Sequence, residues 1–320
     1  MSIGFDVSKE TIYVALFDGK NATHVGIKNS KSGFAEIVRK LGKYEKEQLL
    51  LTMEATGVYH QRCAEFFNDS GYLVSVVNPL IVKRYADMRM TRAKTDKIDA
   101  KLIAQYGWNE KSFPYKKHSE NSRKIKALLK VIESLNNVKT QNRNRMEALS
   151  CHACNMDEVT EIYCTMNKEI KIKIKQIESR IHALIQEENS KEYENLMTIP
   201  GVGKRLASAV IGHFGLFEDF ESAKQVASFI GANPFPRMSG TSVRGKGIIS
   251  RKGNGYLRKL FYLSALSAYK HNKSCKDLYE RLILKRKAKK LALVAVANKL
   301  IRQVFAVAKY NSRYDPIFIK

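Results

Sequence analysis

The fold is decided by two apolar stretches near the start of the chain, Ile3-Gly4-Phe5-Asp6-Val7 and Thr11-Ile12-Tyr13-Val14-Ala15-Leu16-Phe17. Each is short and rich in β-branched and aromatic residues, which predicts a β-strand. Asp18-Gly19 follows directly and is a strong signal for a hairpin turn. Helices and strands then alternate, with a strand predicted at 22–27, a helix at 32–41, a strand at 48–53, a helix at 59–68 and a strand at 72–77. This pattern predicts a mixed α/β sheet with crossover helices.

Two acids lie where such a sheet would present them. The order βββαβαβα is that of a ribonuclease-H-like fold, in which the first and fourth strands are neighbours. Asp6 lies within the first strand, and Glu54 lies at the carboxyl end of the fourth, where α/β folds place ligand-contacting groups. Burying an acid in an apolar strand is unfavourable unless it is paired or liganded, although Asp6 alternatively caps a turn. Actin-like and sugar-kinase ATPases also begin with a strand Asp, but they need phosphate-cradling glycines, and residues 7–10 contain none.

A third acidic motif is Lys94-Thr95-Asp96-Lys97-Ile98-Asp99-Ala100. Its two carboxylates are three residues apart and therefore share one face of a helix. A simpler interpretation is that Thr95 or Asp96 caps the helix while a solvated Asp99 pairs with Lys. If this helix packs beside the first and fourth strands, four carboxylates converge. Oxygen ligands of this kind suit Mg²⁺ or Mn²⁺, which polarise a phosphodiester and activate the attacking oxygen. The predicted metal ligands are Asp6, Glu54, Asp96 and Asp99.

The charge of the chain indicates a polyanionic partner. The 320 residues include 56 Lys and Arg against 31 Asp and Glu, a formal net charge of +25. Residues 237–320 carry 21 of these basic residues and three acids, a net charge of +18. Nucleic acid is the expected partner, and a ribosome-associated or merely basic protein is the alternative. Five irregularly spaced cysteines, no visible signal peptide and no apolar run of roughly 18 residues predict a cytoplasmic prokaryotic protein without membrane contact.

The middle of the chain predicts amphipathic helices. Apolar residues recur at intervals of three and four over residues 125–138 and again over residues 174–184, which is typical of paired helices, including an antiparallel coiled coil. This arm is expected to space domains or to join protomers. Cys151-His152-Ala153-Cys154, with Cys164 beyond, lacks the second well-spaced pair of a zinc site.

The last third contains two stretches suited to phosphate contacts. Thr198-Ile199-Pro200-Gly201-Val202-Gly203-Lys204 precedes an apolar helix, so its backbone N–H groups can face a phosphate, as in a helix-hairpin-helix; a tight structural turn is the alternative. Residues 237–247 alternate hydroxyls, glycines and basic side chains, which predicts a flexible phosphate-contacting loop. Any hydroxyl among Ser239, Thr241 and Ser242 is a candidate nucleophile, since serine requires activation by a base or a metal. The expected nucleic-acid contacts are Gly201, Gly203, Lys204, Arg244, Lys246, Arg251 and Lys252.

Five motifs in the same order resemble those of DEDD-type insertion-sequence transposases, the family of bridge-RNA-guided recombinases that includes the Piv-like DNA invertases. They are Gly4-Phe5-Asp6-Val7-Ser8-Lys9, Glu54-Ala55-Thr56-Gly57-Val58-Tyr59, Lys94-Thr95-Asp96-Lys97-Ile98-Asp99-Ala100, Ile199-Pro200-Gly201-Val202-Gly203 and Ser239-Gly240-Thr241-Ser242-Val243-Arg244-Gly245. The resemblance extends nearly from end to end of the chain. It implies a RuvC-like catalytic domain at 1–115, a helical coiled-coil spacer at 116–195 and a mainly α transposase domain at 196–320.

The resemblance also implies a mechanism and partners. Asp6, Glu54, Asp96 and Asp99 are then the metal-binding tetrad, and by motif position Ser239 attacks DNA and becomes covalently linked to it. We expect the acidic domain and the serine loop to act together, with Arg244 and Lys246 positioning phosphate. The implied partners are donor and target DNA, a structured non-coding bridge RNA, and further copies of the chain in a dimer or tetramer. The rival hypotheses are a metal-dependent endonuclease that uses water as nucleophile and a non-catalytic nucleic-acid-binding protein.

Overall fold

The structure is a computed structural model that describes residues 1–316 apart from 56, 92–94, 111–112, 240–242 and 250–251. For residues 235–239 and 243–248 it describes the backbone alone. The chain forms two compact units, Met1–Lys117 and His118–Lys320. The further division of the second unit near residue 195 stays a prediction.

The first unit is a five-stranded mixed sheet with helices on both faces. Its elements are β1 (Ser2–Val7), β2 (Thr11–Phe17), β3 (Ala22–Lys28), α1 (Lys31–Leu41), β4 (Leu50–Glu54), α2 (His60–Asp69), β5 (Leu73–Val77), α3 (Pro79–Met88) and α4 (Asp96–Asn109). The strand order is β3-β2-β1-β4-β5. β1 pairs antiparallel with β2 and parallel with β4, which confirms the predicted mixed sheet and the adjacency of its first and fourth strands.

Strand alternation determines which helices cover which face. Ile3, Phe5 and Val7 of β1 are buried in a core that includes Phe34 of α1 and Phe67 of α2. The intervening residues of β1 point to the other face, since successive side chains alternate across a strand. On that face Ala15 of β2 packs with Ala100 and Ala104 of α4 in a second cluster.

Two details of the first unit bear on the predictions. The Asp18–Gly19 turn is confirmed, because Asp18 Oδ1 accepts hydrogen bonds from the backbone N–H groups of Lys20 (2.8 Å) and Asn21 (2.7 Å). Helix α3 was not predicted. Asn78 caps its N-terminus by accepting from Leu80 N at 2.9 Å, and Pro79 takes the first helical position.

The second unit is mainly helical. Its elements are α5 (Glu120–Ser150), α6 (Asp157–Glu188), α7 (Ser190–Met197), α8 (Lys204–Phe214), α9 (Ala223–Ile230), β6 (Pro234–Ser239), β7 (Val243–Ile249), α10 (Gly255–His271), α11 (Lys273–Leu284) and α12 (Lys289–Lys309). Helices α5 and α6 run antiparallel, since Ser119 at the start of α5 donates to Glu188 at the end of α6 (2.9 Å). One apolar core joins this helical pair to the helices that follow.

Helix α12 forms part of that core. Among the described residues it is the one helix with the length and apolar composition of a membrane span, and 56% of its most apolar window is buried inside the protein. Val296, Leu300 and Ile301 are among its fully buried side chains. Its apolar character is therefore explained by packing against the other helices of the second unit.

Candidate catalytic carboxylates and nucleic-acid interface

The carboxyl ends of β1 and β4 bring two predicted acids side by side. The parallel pairing of these strands ends at Phe5 opposite Met53. Asp6 and Glu54 are each the next residue, and both are half-buried. Because neighbouring strands lie about 4.8 Å apart, the backbones at these two positions are adjacent. Both residues lie on the face of the sheet that α4 covers.

Two glycine contacts determine the direction in which α4 crosses that face. A Cβ on Gly4 would overlap the backbone of Ala100 and Ala104, so α4 lies directly against β1 there. Near the other end of the helix, a Cβ on Gly107 would overlap Thr52 Oγ1 and lie 2.7 Å from Ser2 Oγ. Helix α4 therefore runs antiparallel to β1, and its N-terminus points towards the strand ends.

This direction brings the other two acids to the same edge of the sheet. Asp96 begins α4, four residues before Ala100, which corresponds to about 6 Å of helix. Asp6 lies two residues beyond Gly4, which is about 6.6 Å of strand in the same direction. The backbone thus delivers Asp6, Glu54, Asp96 and Asp99 to one edge of the first unit.

The start of α4 also answers the capping question. Thr95 is the N-cap, and its Oγ1 accepts from Ile98 N at 3.3 Å. Asp96 occupies the first helical position and is exposed, whereas Asp99 is half-buried. Both carboxylates lie in the first turn, where the partial positive charge of the helix terminus stabilises anions. Lys94 and the neighbouring Arg92 lie outside the described residues.

The donor atoms match the metal that the sequence suggests, but their arrangement is open. Carboxylate oxygens are the ligands that Mg²⁺ and Mn²⁺ prefer. Within the described part of the chain, no three residues among His, Cys, Asp and Glu form a group that could hold a metal ion. Cys151 and Cys154 are exposed free thiols, and Cys164 is half-buried. The metal-binding role of the four acids stays a prediction.

In the second unit, the turn between α7 and α8 contains the predicted phosphate contacts. Gly201 has φ +101° and lies against α10, where an added Cβ would be 2.6 Å from Ala268 Cβ. Packing alone therefore explains this glycine. Gly203 is the N-cap of α8, without a side-chain capping bond, and a Cβ there would meet no atom within 4 Å. Gly203 and Lys204 are exposed, so the first N–H groups of α8 are accessible to an anion.

A cavity of about 640 Å³ adjoins this turn. Arg205 lines it and forms an ion pair with Glu178 of α6 (Nε to Oε1, 2.6 Å). Tyr256 also lines it, and burial raises the pKa of Tyr256 to about 12, so the phenol keeps its proton at neutral pH. Sequence reasoning missed Arg205 and Tyr256 because neither belongs to a motif; a basic residue directly after Lys204 was the available signal for Arg205.

The stretch that contains the candidate serine is a hairpin, which corrects the predicted flexible loop. β6 and β7 pair antiparallel from Pro234 opposite Ile249 to Ser239 opposite Val243, with an irregularity between Phe235 and Arg237. Ser239 is thus the last residue of β6, directly before the connection to β7. The alternation of glycine, serine and lysine concealed the strands, whereas Val243, Ile248 and Ile249 were the signal for them.

Several predicted contacts in this region lie outside the described residues. They are Thr241, Ser242, Arg251 and the side chains of Ser239, Arg244 and Lys246. Lys252 is described and exposed, and its carbonyl oxygen accepts from Arg258 Nη1 at 3.1 Å, an interaction that attaches the segment to α10.

Comparison with known proteins agrees with both halves of this arrangement. Residues 3–154 match a family model described as a transposase of the DEDD and IS110 type, and residues 193–280 match one described as the transposase IS116/IS110/IS902 family. The chain is 30% identical to the pilin gene-inverting protein of Moraxella lacunata, covering 98% of this chain and 97% of that protein. It is 24% identical to a probable family 20 transposase of Pseudomonas aeruginosa over 83% of this chain and 86% of that protein. It is also 30% identical, over 39% of its length and 35% of the relative, to the transposase for insertion sequence element IS1111A of Coxiella burnetii.

Proposed function

The chain belongs to the IS116/IS110/IS902 transposase family and is a DNA transposase or recombinase, and from that membership we propose that it breaks and rejoins DNA through a covalent Ser239–DNA bond. The observation that supports this proposal most is the delivery of four acids to one edge of the sheet in the first unit. A hydroxyl nucleophile in the second unit would then act with acids from the first on the same phosphodiester. Both matched segments of the chain contribute to this chemistry.

The first unit is proposed to be the RuvC-like, ribonuclease-H-like domain. Its strand order and the placement of Asp6 and Glu54 at adjacent strand ends support this proposal. Mg²⁺ or Mn²⁺ held by Asp6, Glu54, Asp96 and Asp99 would stabilise negative charge on the attacked phosphate. The position of Asp99 depends on the close packing of α4 against Gly4.

The proposed chemical step is a transesterification. Ser239 Oγ forms a bond to phosphorus while the bond from phosphorus to the sugar oxygen of the departing strand breaks. The departing oxygen keeps the electron pair and receives a proton, which balances the proton lost by the serine. Attack by a sugar hydroxyl of another strand reverses the step and releases Ser239. No high-energy cofactor is required, since each phosphodiester is exchanged for another ester.

The same proposal includes a structured RNA and an oligomer. The second unit has 37 Lys and Arg against 18 acids, which suits a chain that binds RNA as well as DNA. The pair α5–α6 is proposed as a coiled-coil contact between protomers. Val159, Ile162 and Met166 of α6 are exposed at intervals of three and four residues, the spacing of an apolar helix face without an intramolecular partner.

Trapping the covalent intermediate tests this function. Full-length protein would be mixed with duplex DNA carrying the junction of its insertion element, RNA transcribed from the flanking DNA, and Mg²⁺. Denaturing gels should show a protein–DNA adduct that disappears in Ser239→Ala and persists in the matched hydroxyl variants Thr241→Ala and Ser242→Ala. Asp6→Asn should lose strand cleavage and keep DNA binding. Nicking that survives Ser239→Ala would instead indicate hydrolysis by water, as in a RuvC-like endonuclease.

A further inference from the structure

A second cavity of the second unit lies at the root of the β6–β7 hairpin, away from the turn before α8. Its volume is about 710 Å³, and it is bounded by α11, α12 and the first and last residues of the hairpin. We call it the root groove. Its floor is aliphatic and is formed by Pro234, Ile249, Leu278, Leu291, Val294 and Ala295.

The rim of the root groove is cationic. Arg281, Lys290, Lys299 and Arg302 line it, and its lining residues include no Asp or Glu. Arg281, Lys290 and Arg302 are exposed, and Lys299 is half-buried. Within the described part of the chain, none of the four makes an ion pair. Four cations with no intramolecular counter-ion surround an apolar floor, which is the composition of a groove for a strand of nucleic acid.

A smaller cavity extends the groove past the hairpin root. It has a volume of about 250 Å³ and shares Ala232, Ile249 and Val294 with the root groove. Lys259 and the half-buried ring of Tyr262 also line it. An aromatic ring next to a cationic groove offers a surface on which an unpaired base can stack.

We propose that the root groove and its extension bind a single-stranded segment of the DNA substrate, with phosphates on the cationic rim and bases against the aliphatic floor and Tyr262. The volume admits a few nucleotides of one strand, whereas a duplex is too wide to enter. The DNA strand is favoured as occupant because the groove lies at the root of the hairpin whose far end is Ser239. In this respect the inference rests on the proposed role of Ser239.

The hairpin gives the proposal a length scale. From Pro234 at the root to Ser239 is five residues of strand, which spans about 17 Å. A stacked strand rises about 3.4 Å per nucleotide, so this span corresponds to about five nucleotides. The groove is therefore placed to hold a separated strand about five nucleotides from the phosphate that Ser239 attacks.

Binding measurements on the full chain test the groove directly. The probes are an oligothymidine strand of about 20 nucleotides, an oligouridine strand of equal length and a mixed-sequence duplex. Lys290→Ala combined with Arg302→Ala should raise the Kd for oligothymidine at least about tenfold and lower the slope of log Kd against log salt by about 1.4, or about 0.7 for each lost phosphate contact. The matched control, Lys168→Ala combined with Lys171→Ala on exposed positions of α6, removes the same charge and should change the Kd less than about twofold.

A neutral variant separates shape from charge. Ala295→Phe fills the groove without altering net charge, and it should weaken oligothymidine binding while duplex binding and the circular dichroism spectrum stay unchanged. The proposal is overturned if the groove variants fall no further than the control. It is also overturned if duplex affinity falls in the same proportion, or if the loss is confined to oligouridine.

The adduct assay separates failure of this inference from failure of the proposed function. Ser239→Ala should bind oligothymidine like the unchanged protein, because it leaves the groove intact. If Ser239→Ala still formed an adduct, the nucleophile would be wrong while the groove measurements stood. In the trapped adduct, 5-iodouracil about five nucleotides from the attacked phosphate should cross-link to α12, whereas cross-linking confined to the first unit would contradict the placement.

Discussion

Replacing Gly4 by alanine should displace α4 from the sheet and move two of the four acids with it. The added Cβ would overlap the carbonyl oxygen of Ala100 and the N atom of Ala104, and it would lie 2.9 Å from Ala104 Cα. Ordinary contact begins near 3.4 Å, so the helix must move by at least about 0.5 Å, and by more at the closer atoms. The obstacle is helix backbone, which cannot rotate away as a side chain can. We expect a loss of about 3 kcal/mol in the free energy of unfolding, the upper end of the range for overpacking.

The single tryptophan of the chain makes this loss measurable in the first unit. Trp108 lies on α4 and packs edge-on against Phe17 of β2, with the ring centroids 6.0 Å apart. Its fluorescence therefore reports separation of α4 from the sheet without a contribution from another tryptophan. Urea titration of the full chain should show the fluorescence transition of Gly4→Ala at lower urea than that of the unchanged protein.

A second glycine provides the matched control. Gly26 lies on β3, and a Cβ there would meet only Tyr13 Cε1 at the ordinary distance of 3.7 Å. Gly26→Ala should be neutral or slightly stabilising, by about 0.5 kcal/mol, because alanine has less conformational freedom in the unfolded chain. Equal transitions for the two variants would refute the argument that α4 contacts Gly4 and places the acids.

Two further predictions concern the second unit. Burial, with Lys126 and His118 acting in the same direction, lowers the pKa of His213 to about 4 from an ordinary 6.5, so the unfolded chain binds more protons between these values. The free energy of unfolding should therefore fall by up to about 3 kcal/mol as the pH drops from 6.5 to 4, and His213→Phe should flatten this dependence in urea titrations followed by circular dichroism. In thermal unfolding, Gly201→Ala should cost more than about 2 kcal/mol because of its φ of +101° and its contact with α10, whereas Gly203→Ala should cost less than about 1 kcal/mol. A similar loss in both variants would contradict the assignment of Gly201 to packing.

The sheet of the first unit could be predicted because its signals are local. Alternating apolar residues indicated β1 and β2, and Asp18-Gly19 indicated the turn between them. The position of α4 on the sheet was only partly predictable. Gly4 permits the contact, but its role is visible only once Ala100 and Ala104 are known to lie against it.

The missed elements share a physical cause. Asn78-Pro79 is a signal for the end of a strand, and the same two residues supply the cap and first position of α3. In the stretch from Pro234 to Ile249, glycine and serine resemble a loop, while strand pairing depends on partners across the hairpin. The root groove was also invisible in the sequence, because Arg281 and Arg302 meet there only through the packing of α11 against α12.

The charge distribution separates binding from chemistry. The first unit has 19 Lys and Arg against 13 acids, a net charge of +6, whereas the second has a net charge of +19. Carboxylates at the ends of β1 and β4 repel a phosphate, so the acids alone oppose DNA binding. The affinity must therefore come mainly from cations elsewhere, and the root groove supplies four of them without intramolecular ion pairs among the described residues. This division explains why neutralising Asp6 should abolish cleavage while leaving the DNA bound, and why Lys290 and Arg302 should affect binding without being part of the chemistry.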